Sequence, residues 1–408
     1  MSNKTILATC YAVNPYKGSE DGMGWNFVNQ IARFNKVIAI TRENNQPAIE
    51  KFMAENPNEL YKNITFLYFD LPYWMRFWKK GGRGAMLYYY MWQRGIVSFI
   101  KKQNLNFDIA HNVNFHNDWT PSFLYKLEKP MVWGPIGHHP IIPNQYLKPY
   151  SIKYLIIDRA TWLVKKMFWN LSFSLKKTVK NADHILCMNT GVPSVLEFKN
   201  QSFSIQPSVA TEDFFEGKIT KKEGFKVISV GRFVPLKGFD LTLNSFIKFL
   251  YSLSVSEREN CRLTLVGTGP EKEFYQKIIA ENKVEKYVEI IEWIDRKELM
   301  KLYEKASVFL FPSHEGAGMV VAEAMSFGLP VVCLNNEGPG EFVTTNCGFA
   351  VPQLDYNNTV SELKDSLQKL YFDKELLYKM SLGARKQFEE RFTWNSRGEH
   401  LKNIYKKL

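Results

Sequence analysis

Short runs of apolar, often β-branched residues recur along the second half of the chain, at Lys226 to Val230, Leu263 to Val266, Val288 to Ile291, Val308 to Phe311 and Val331 to Leu334. These runs do not alternate polar with apolar, so a strand formed there must be covered on both faces. Strands of that kind, separated by longer helical patterns, pack as a parallel, doubly wound sheet. The first half repeats the theme at Thr5 to Thr9, Val37 to Thr41, Ile64 to Phe69, Ile109 to His111, Met131 to Trp133 and His184 to Met188. A chain of 408 residues exceeds the roughly 250–300 residues at which single cores stop growing. The expected fold is therefore α/β with two Rossmann-like domains.

Their boundary is expected in the polar, lysine-rich stretch from Ser208 to Gly224, giving domains over residues 1–208 and 209–391. In open α/β sheets ligands bind beyond the carboxyl ends of the strands, so two such domains are expected to hold a substrate in a cleft between them.

The five cysteines, Cys10, Cys187, Cys261, Cys333 and Cys347, are odd in number and form no C-x-x-C pair, which fits a reducing cytoplasm. No apolar stretch reaches signal-peptide or membrane-spanning length, so the chain is expected to be neither exported nor membrane-spanning. The formal net charge of +12 would suit nucleic acid, an anionic bilayer surface or phosphorylated substrates. No helix-turn-helix, zinc or RNA-binding sheet motif supports nucleic acid.

The charge is unevenly spread. From Leu71 to Phe107 there is no acid, and Arg76, Lys79, Lys80 and Arg83 interleave with Tyr73, Trp74, Phe77, Trp78, Tyr88, Tyr89, Tyr90 and Trp92. Tyr146 to Lys180 repeats the composition, with Trp162, Phe168, Trp169 and Phe173 among lysines and Asp158 as its single acid. Such segments suit contact with an anionic membrane surface, although aromatics at helical spacing also fill cores.

Three loops that follow strands carry the candidate chemistry. After Phe311 the chain reads Pro312-Ser-His-Glu315-Gly316-Ala317-Gly318-Met319-Val320-Val-Ala-Glu323. The glycines allow backbone N–H groups to approach a ligand, and a helix starting near Met319 favours a phosphate or another anion. The carboxylates of Glu315 and Glu323 can accept hydrogen bonds from sugar or ribose hydroxyls. A second loop, Gly231-Arg232-x4-Lys237-Gly238, places two cations to clamp a diphosphate. A third, Val266-Gly267-Thr-Gly269-Pro270, ends a strand in a glycine turn.

In this order and spacing, the Glu-x7-Glu, Gly-Arg-x4-Lys-Gly and Val-Gly-x-Gly-Pro patterns resemble the donor-binding domain of glycosyltransferase family 4, which has the GT-B fold. The resemblance implies that Arg232 and Lys237 hold the donor diphosphate and that Glu323 holds the ribose. It gives the donor sugar to Glu315 and the backbone from Gly316 to Val320, and the nucleotide base to Trp293-Ile294. Gly231 and Gly267 belong to the same donor surface. The first half resembles the family through Lys17-Gly18-Ser19-Glu20, a loop expected to face the donor phosphate and the acceptor. Trp133-Gly134-Pro135-Ile136-Gly137 adds to that likeness, but where relatives continue with glycines and an acid this chain reads His138-His139-Pro140. His111, in Asp108-Ile-Ala-His111, matches the position of a histidine beside the reacting sugar, with His116 as a competitor. The segment 392–408 resembles the terminal helix that returns to the first domain.

The resemblance further implies a retaining transfer of a hexose-type sugar from a nucleoside-diphosphate sugar to a glycan or lipid-linked acceptor, in surface polysaccharide or glycolipid synthesis. No cofactor is expected, and no metal, because no aspartate pair has metal spacing. The expected setting is cytoplasmic, with peripheral contact on the membrane. Rival readings are a GT-B nucleotide-sugar epimerase, a sugar phosphorylase, and a catalytically inactive subunit that binds a nucleotide sugar or the membrane.

Overall fold

A computed structural model describes residues 4–114, 117–207 and 209–408. Two compact units divide the chain, one of residues 1–138, 163–208 and 394–408, the other of residues 139–162 and 209–393.

The first unit is built on a seven-stranded parallel sheet. Its strands are β1 (Thr5–Cys10), β2 (Lys36–Thr41), β3 (Ile64–Tyr68), β4 (Ile109–Asn114), β5 (Met131–Ile136), β6 (His184–Cys187) and β7 (Phe203–Ile205). Their order in space is β3-β2-β1-β4-β5-β6-β7, so the winding reverses between β1 and β4. The helix Ala85–Lys102 buries Tyr88, Tyr89, Trp92, Ile96 and Ile100 along one face. Trp92 donates from Nε1 to the Phe69 carbonyl at 2.9 Å, and Tyr11 meets both Tyr89 and Trp92 edge to face. These aromatics therefore fill a core, which corrects the interfacial expectation for most of the Leu71–Phe107 stretch. Of the aromatics, Tyr73, Trp74 and Phe77 in its first part stand out into solvent. The last helix, Trp394–Lys407, packs against the helix Ser19–Ala32. Lys4 there donates to the Tyr405 carbonyl at 2.9 Å and Arg33 to Asn395 at 2.8 Å.

The second unit holds a six-stranded parallel sheet of β8 (Phe225–Val230), β9 (Cys261–Val266), β10 (Val288–Ile291), β11 (Val308–Phe311), β12 (Val331–Asn335) and β13 (Gly348–Pro352). The order is β10-β9-β8-β11-β12-β13, with the reversal between β8 and β11. All four residues of β11 are buried, as helices on both faces require. β8 and β9 pair in register from Phe225↔Cys261 to Val230↔Val266, so Gly231 and Gly267 leave the sheet side by side.

The domain expectation is corrected at residues 139–162, which pack into the second unit rather than the first. Three tyrosines tie them down. Tyr146 donates to the Leu354 carbonyl at 2.6 Å, Tyr150 to Asp240 Oδ1 at 2.6 Å and Tyr154 to Glu271 at 2.5 Å. Asp240 is buried and receives a second tyrosine hydroxyl, that of Tyr356, at 2.9 Å. Burial pushes its carboxyl above the usual range, and the two tyrosine hydrogen bonds pull it back.

Candidate active site

The chemistry-bearing residues of the second unit gather at the carboxyl ends of β8, β9 and β11, where the winding of the sheet reverses. Past β8 a short 3-10 turn, Pro235–Lys237, ends on Gly238 at φ +66°. A Cβ at Gly238 would lie 2.1 Å from the Pro312 carbonyl oxygen. Only glycine permits this backbone crossing, which sets the loop after β8 against the loop after β11. Gly267 does the same between β8 and β9, since a Cβ there would lie 1.9 Å from the Gly231 carbonyl oxygen.

The crossing brings Lys237 to Glu315, with Nζ donating to Oε2 at 2.6 Å. Both side chains are more than four-fifths buried, and the ammonium also lies over the Phe311 ring at 5.4 Å. Arg232 is exposed, and among the described residues its guanidinium has no hydrogen-bond or ion-pair partner. The helix Met319–Ser326 starts with Gly318 as its N-cap, which supplies no side-chain cap. Its first intrahelical hydrogen bond runs from Val321 N–H to the Gly318 carbonyl at 3.1 Å. The N–H groups of Gly318, Met319 and Val320 thus precede the helical ladder, and Ala317 to Val320 are half-buried.

Glu323 is buried one turn further on, and Arg296 Nη2 donates to its Oε1 at 2.8 Å. Burial raises the Glu323 carboxyl above its usual range, opposed by the Arg296 charge. Arg296 also lies over Phe214 at 4.7 Å. Ile294 is half-buried in the loop after β10, while its neighbour Trp293 is 81% exposed.

Two participants escape a sequence reading. Arg296 is announced only by an Asp-Arg pair at a helix start, and its link to Glu323 spans 27 residues. His139, in the segment that departs from the family pattern, accepts the Gly316 N–H on its Nδ1 at 3.1 Å. One of the backbone donors expected to face the donor sugar is therefore held by an imidazole of this chain.

In the first unit Gly18 is exposed at the start of the helix Ser19–Ala32. The Ser19 side chain and all of His116 lie outside the described residues. His138 is buried against Asp118, Nδ1 to Oδ2 at 2.7 Å.

His111 corrects an expectation. It is fully buried, its Nε2 2.7 Å from the Gly134 carbonyl oxygen and its Nδ1 2.6 Å from the Tyr405 hydroxyl. A carbonyl oxygen only accepts, so Nε2 carries the proton and Nδ1 accepts from Tyr405. Both nitrogens are used to join β4, β5 and the last helix, and neither is available to a reacting sugar. Burial lowers the pKa of His111 from 6.5 to about 4. The unfolded chain therefore binds more protons between these values, and the stability held above pH 6.5 is lost as the pH falls toward 4. The expected loss is on the order of 3 kcal/mol for this one group. In thermal melts followed from pH 7 to pH 4.5, His111→Asn should show a shallower decline than the parent, and parallel curves would refute this account.

Among the described residues no group of three or more His, Cys, Asp or Glu is placed to hold a metal ion. No described helix is long and apolar enough to cross a membrane.

An uncharacterized glycosyltransferase of Haemophilus influenzae is 30% identical over 178 residues, covering 43% of this chain and 47% of that protein. A GDP-mannose-dependent monoacylated alpha-(1-6)-phosphatidylinositol monomannoside mannosyltransferase of Corynebacterium glutamicum is 27% identical over 181 residues, 42% of this chain and 45% of that protein. The chain thus spans about half the length of the curated relatives it matches. The crystal structure of Anabaena Alr3699/HepE in complex with UDP superposes at a TM-score of 0.64 over 99% of this chain and 100% of that one. At 13% identity that likeness establishes the fold alone, two parallel-sheet α/β domains of the GT-B type. Residues 210–387, which contain every candidate residue of the second unit except His139, match the family model of glycosyl transferases group 1.

Proposed function

We propose that the chain is a retaining glycosyltransferase that moves a hexose-type sugar from a nucleoside-diphosphate sugar to a glycan or lipid-linked acceptor. The observation that carries this reading is the Lys237–Glu315 pair beside an uncapped helix start at the reversal point of the second sheet. It offers one cation and several N–H donors to a diphosphate, and one carboxylate to sugar hydroxyls. The relatives' sugar-transfer chemistry supports the same class.

In this mechanism the bond from the donor anomeric carbon to the diphosphate oxygen breaks while the acceptor oxygen bonds to that carbon on the same face. The acceptor's proton passes to the departing diphosphate. The chain's residues act by position and charge. Lys237, Arg232 and the N–H groups of Gly318 to Val320 stabilise the growing negative charge on the leaving diphosphate. Glu315 orients the sugar through its hydroxyls. Glu323, fixed by Arg296, accepts from the ribose, and the Ile294 loop takes the base. His111 has no place in this scheme, and no metal or cofactor is called upon.

The test is a thermal-shift panel of nucleoside diphosphates and their sugars. A bound ligand at a hundred times its Kd adds about 2.7 kcal/mol, and one diphosphate sugar should stand out. Arg232→Ala, which removes an exposed and unpaired side chain, should abolish most of that shift without changing the unliganded melting temperature. No shift with any member of the panel would overturn the donor site. A shift without turnover on any acceptor would favour a binding subunit.

A further inference from the structure

The helix Ile152–Leu171 carries an outward face unlike that of any other helix described above. Ile156 (61% exposed), Ile157, Leu163 (61%), Val164, Met167 and Leu171 (75%) all stand in solvent. At 3.6 residues per turn these positions, with Ile152, fall within an arc of about 140° that also holds Ala160 and Lys153 and has Asn170 at its edge. None of the helix's residues is fully buried. Of the aromatics that suggested membrane contact in this segment, Phe173 is 69% exposed, whereas Phe168 and Trp169 point the other way. Phe168 packs edge to face on Tyr90 and Trp119, and Trp169 lies 5.4 Å from the His138 ring. The exposed face is aliphatic.

Its surroundings are cationic. Lys166 is exposed on one border of the stripe, and Lys176, Lys177 and Lys180 follow on the next helix, Phe173–Asn181. From residue 129 to 182 Asp158 is the single acid, and it is ion-paired to Arg159. A second copy docked face to face would bring these like charges together, whereas an anionic lipid surface neutralises them.

We infer that the Ile152–Leu171 helix lies along an anionic membrane surface, its aliphatic stripe in the acyl boundary and the neighbouring lysines at headgroup level. Membrane attachment on this face is independent of the donor site, so the two proposals fail separately.

The experiment is flotation of the full chain with vesicles of phosphatidylcholine alone or with 30% phosphatidylglycerol, without any nucleotide sugar. Binding should require phosphatidylglycerol and weaken with salt. Leu163→Asp/Met167→Asp should cut partitioning at least tenfold, with its melting temperature and its response to nucleoside diphosphates unchanged. Lys176→Glu/Lys177→Glu should also lose vesicles while leaving the apolar stripe intact. Equal binding by parent and Leu163→Asp/Met167→Asp would overturn the inference. So would a lipid-free dimer in sedimentation that the same double variant dissolves.

Discussion

Lys237→Ala is expected to lower kcat/KM for sugar transfer by about 10²–10³, the range measured when a single preorganised donor to a developing negative charge is removed. The ammonium is held by Glu315 at 2.6 Å and by the Phe311 ring, so its position is fixed before any phosphate arrives and no reorganisation is needed during reaction. Removing it also leaves the Glu315 carboxylate without its cation in a site more than four-fifths buried, which repels a diphosphate. The pair therefore acts as a unit. The fold-loss of Lys237→Ala/Glu315→Gln should be measurably smaller than the product of the two single fold-losses. The check is steady-state kinetics with circular dichroism of all three variants. Near-parent activity of a folded Lys237→Ala would remove Lys237 from the leaving-group site.

Tyr150→Phe should produce the largest loss of stability from a single atom, about 3 kcal/mol. The hydroxyl donates to a buried carboxylate, 2% exposed, and itself lies 3.1 Å from the Tyr275 hydroxyl. Without it Asp240 keeps only Tyr356 among the tyrosines, and its carboxyl is driven further up. A carboxyl whose folded pKa lies above its unfolded value weakens the fold once the pH rises past the unfolded value, 3.8. The deficit of Tyr150→Phe relative to the parent should accordingly be largest near neutrality and shrink toward pH 4. Denaturant titrations at pH 7.5 and 4.5 measure this, and limited proteolysis should find new cleavage within residues 139–162. A deficit independent of pH would show that Asp240 is not the group involved.

The central parallel strands were legible because they are largely covered on both faces and so read as near-continuous apolar runs. β7 and β13 were not. Phe203-Ser-Ile is too short to show a pattern, and β13 begins at Gly348 and ends at Pro352, residues that otherwise mark turns. The loops after β8, β9 and β11 were legible through glycines whose absence of a side chain the backbone crossings require. Composition misled for the helix Ala85–Lys102, since aromatics beside lysines describe a core face as well as an interface. Long-range pairing was invisible. Nothing in the local sequence connects Tyr150 to Asp240, His139 to Gly316 or His111 to Tyr405, contacts that span 90, 177 and 294 residues.

The chain passes between its two units at residues 138/139, 162/163, 208/209 and 393/394. Neither unit is therefore a single stretch of gene. A recombination event with one crossover near codon 208 would join a foreign Tyr146, Tyr150 and Tyr154 to the resident Leu354, Asp240 and Glu271, and a mismatch at any of them would strand a buried polar group. Residues 139–162 and 209–393 form a matched set, so an exchange of the second half alone between relatives of this chain is expected to cost stability.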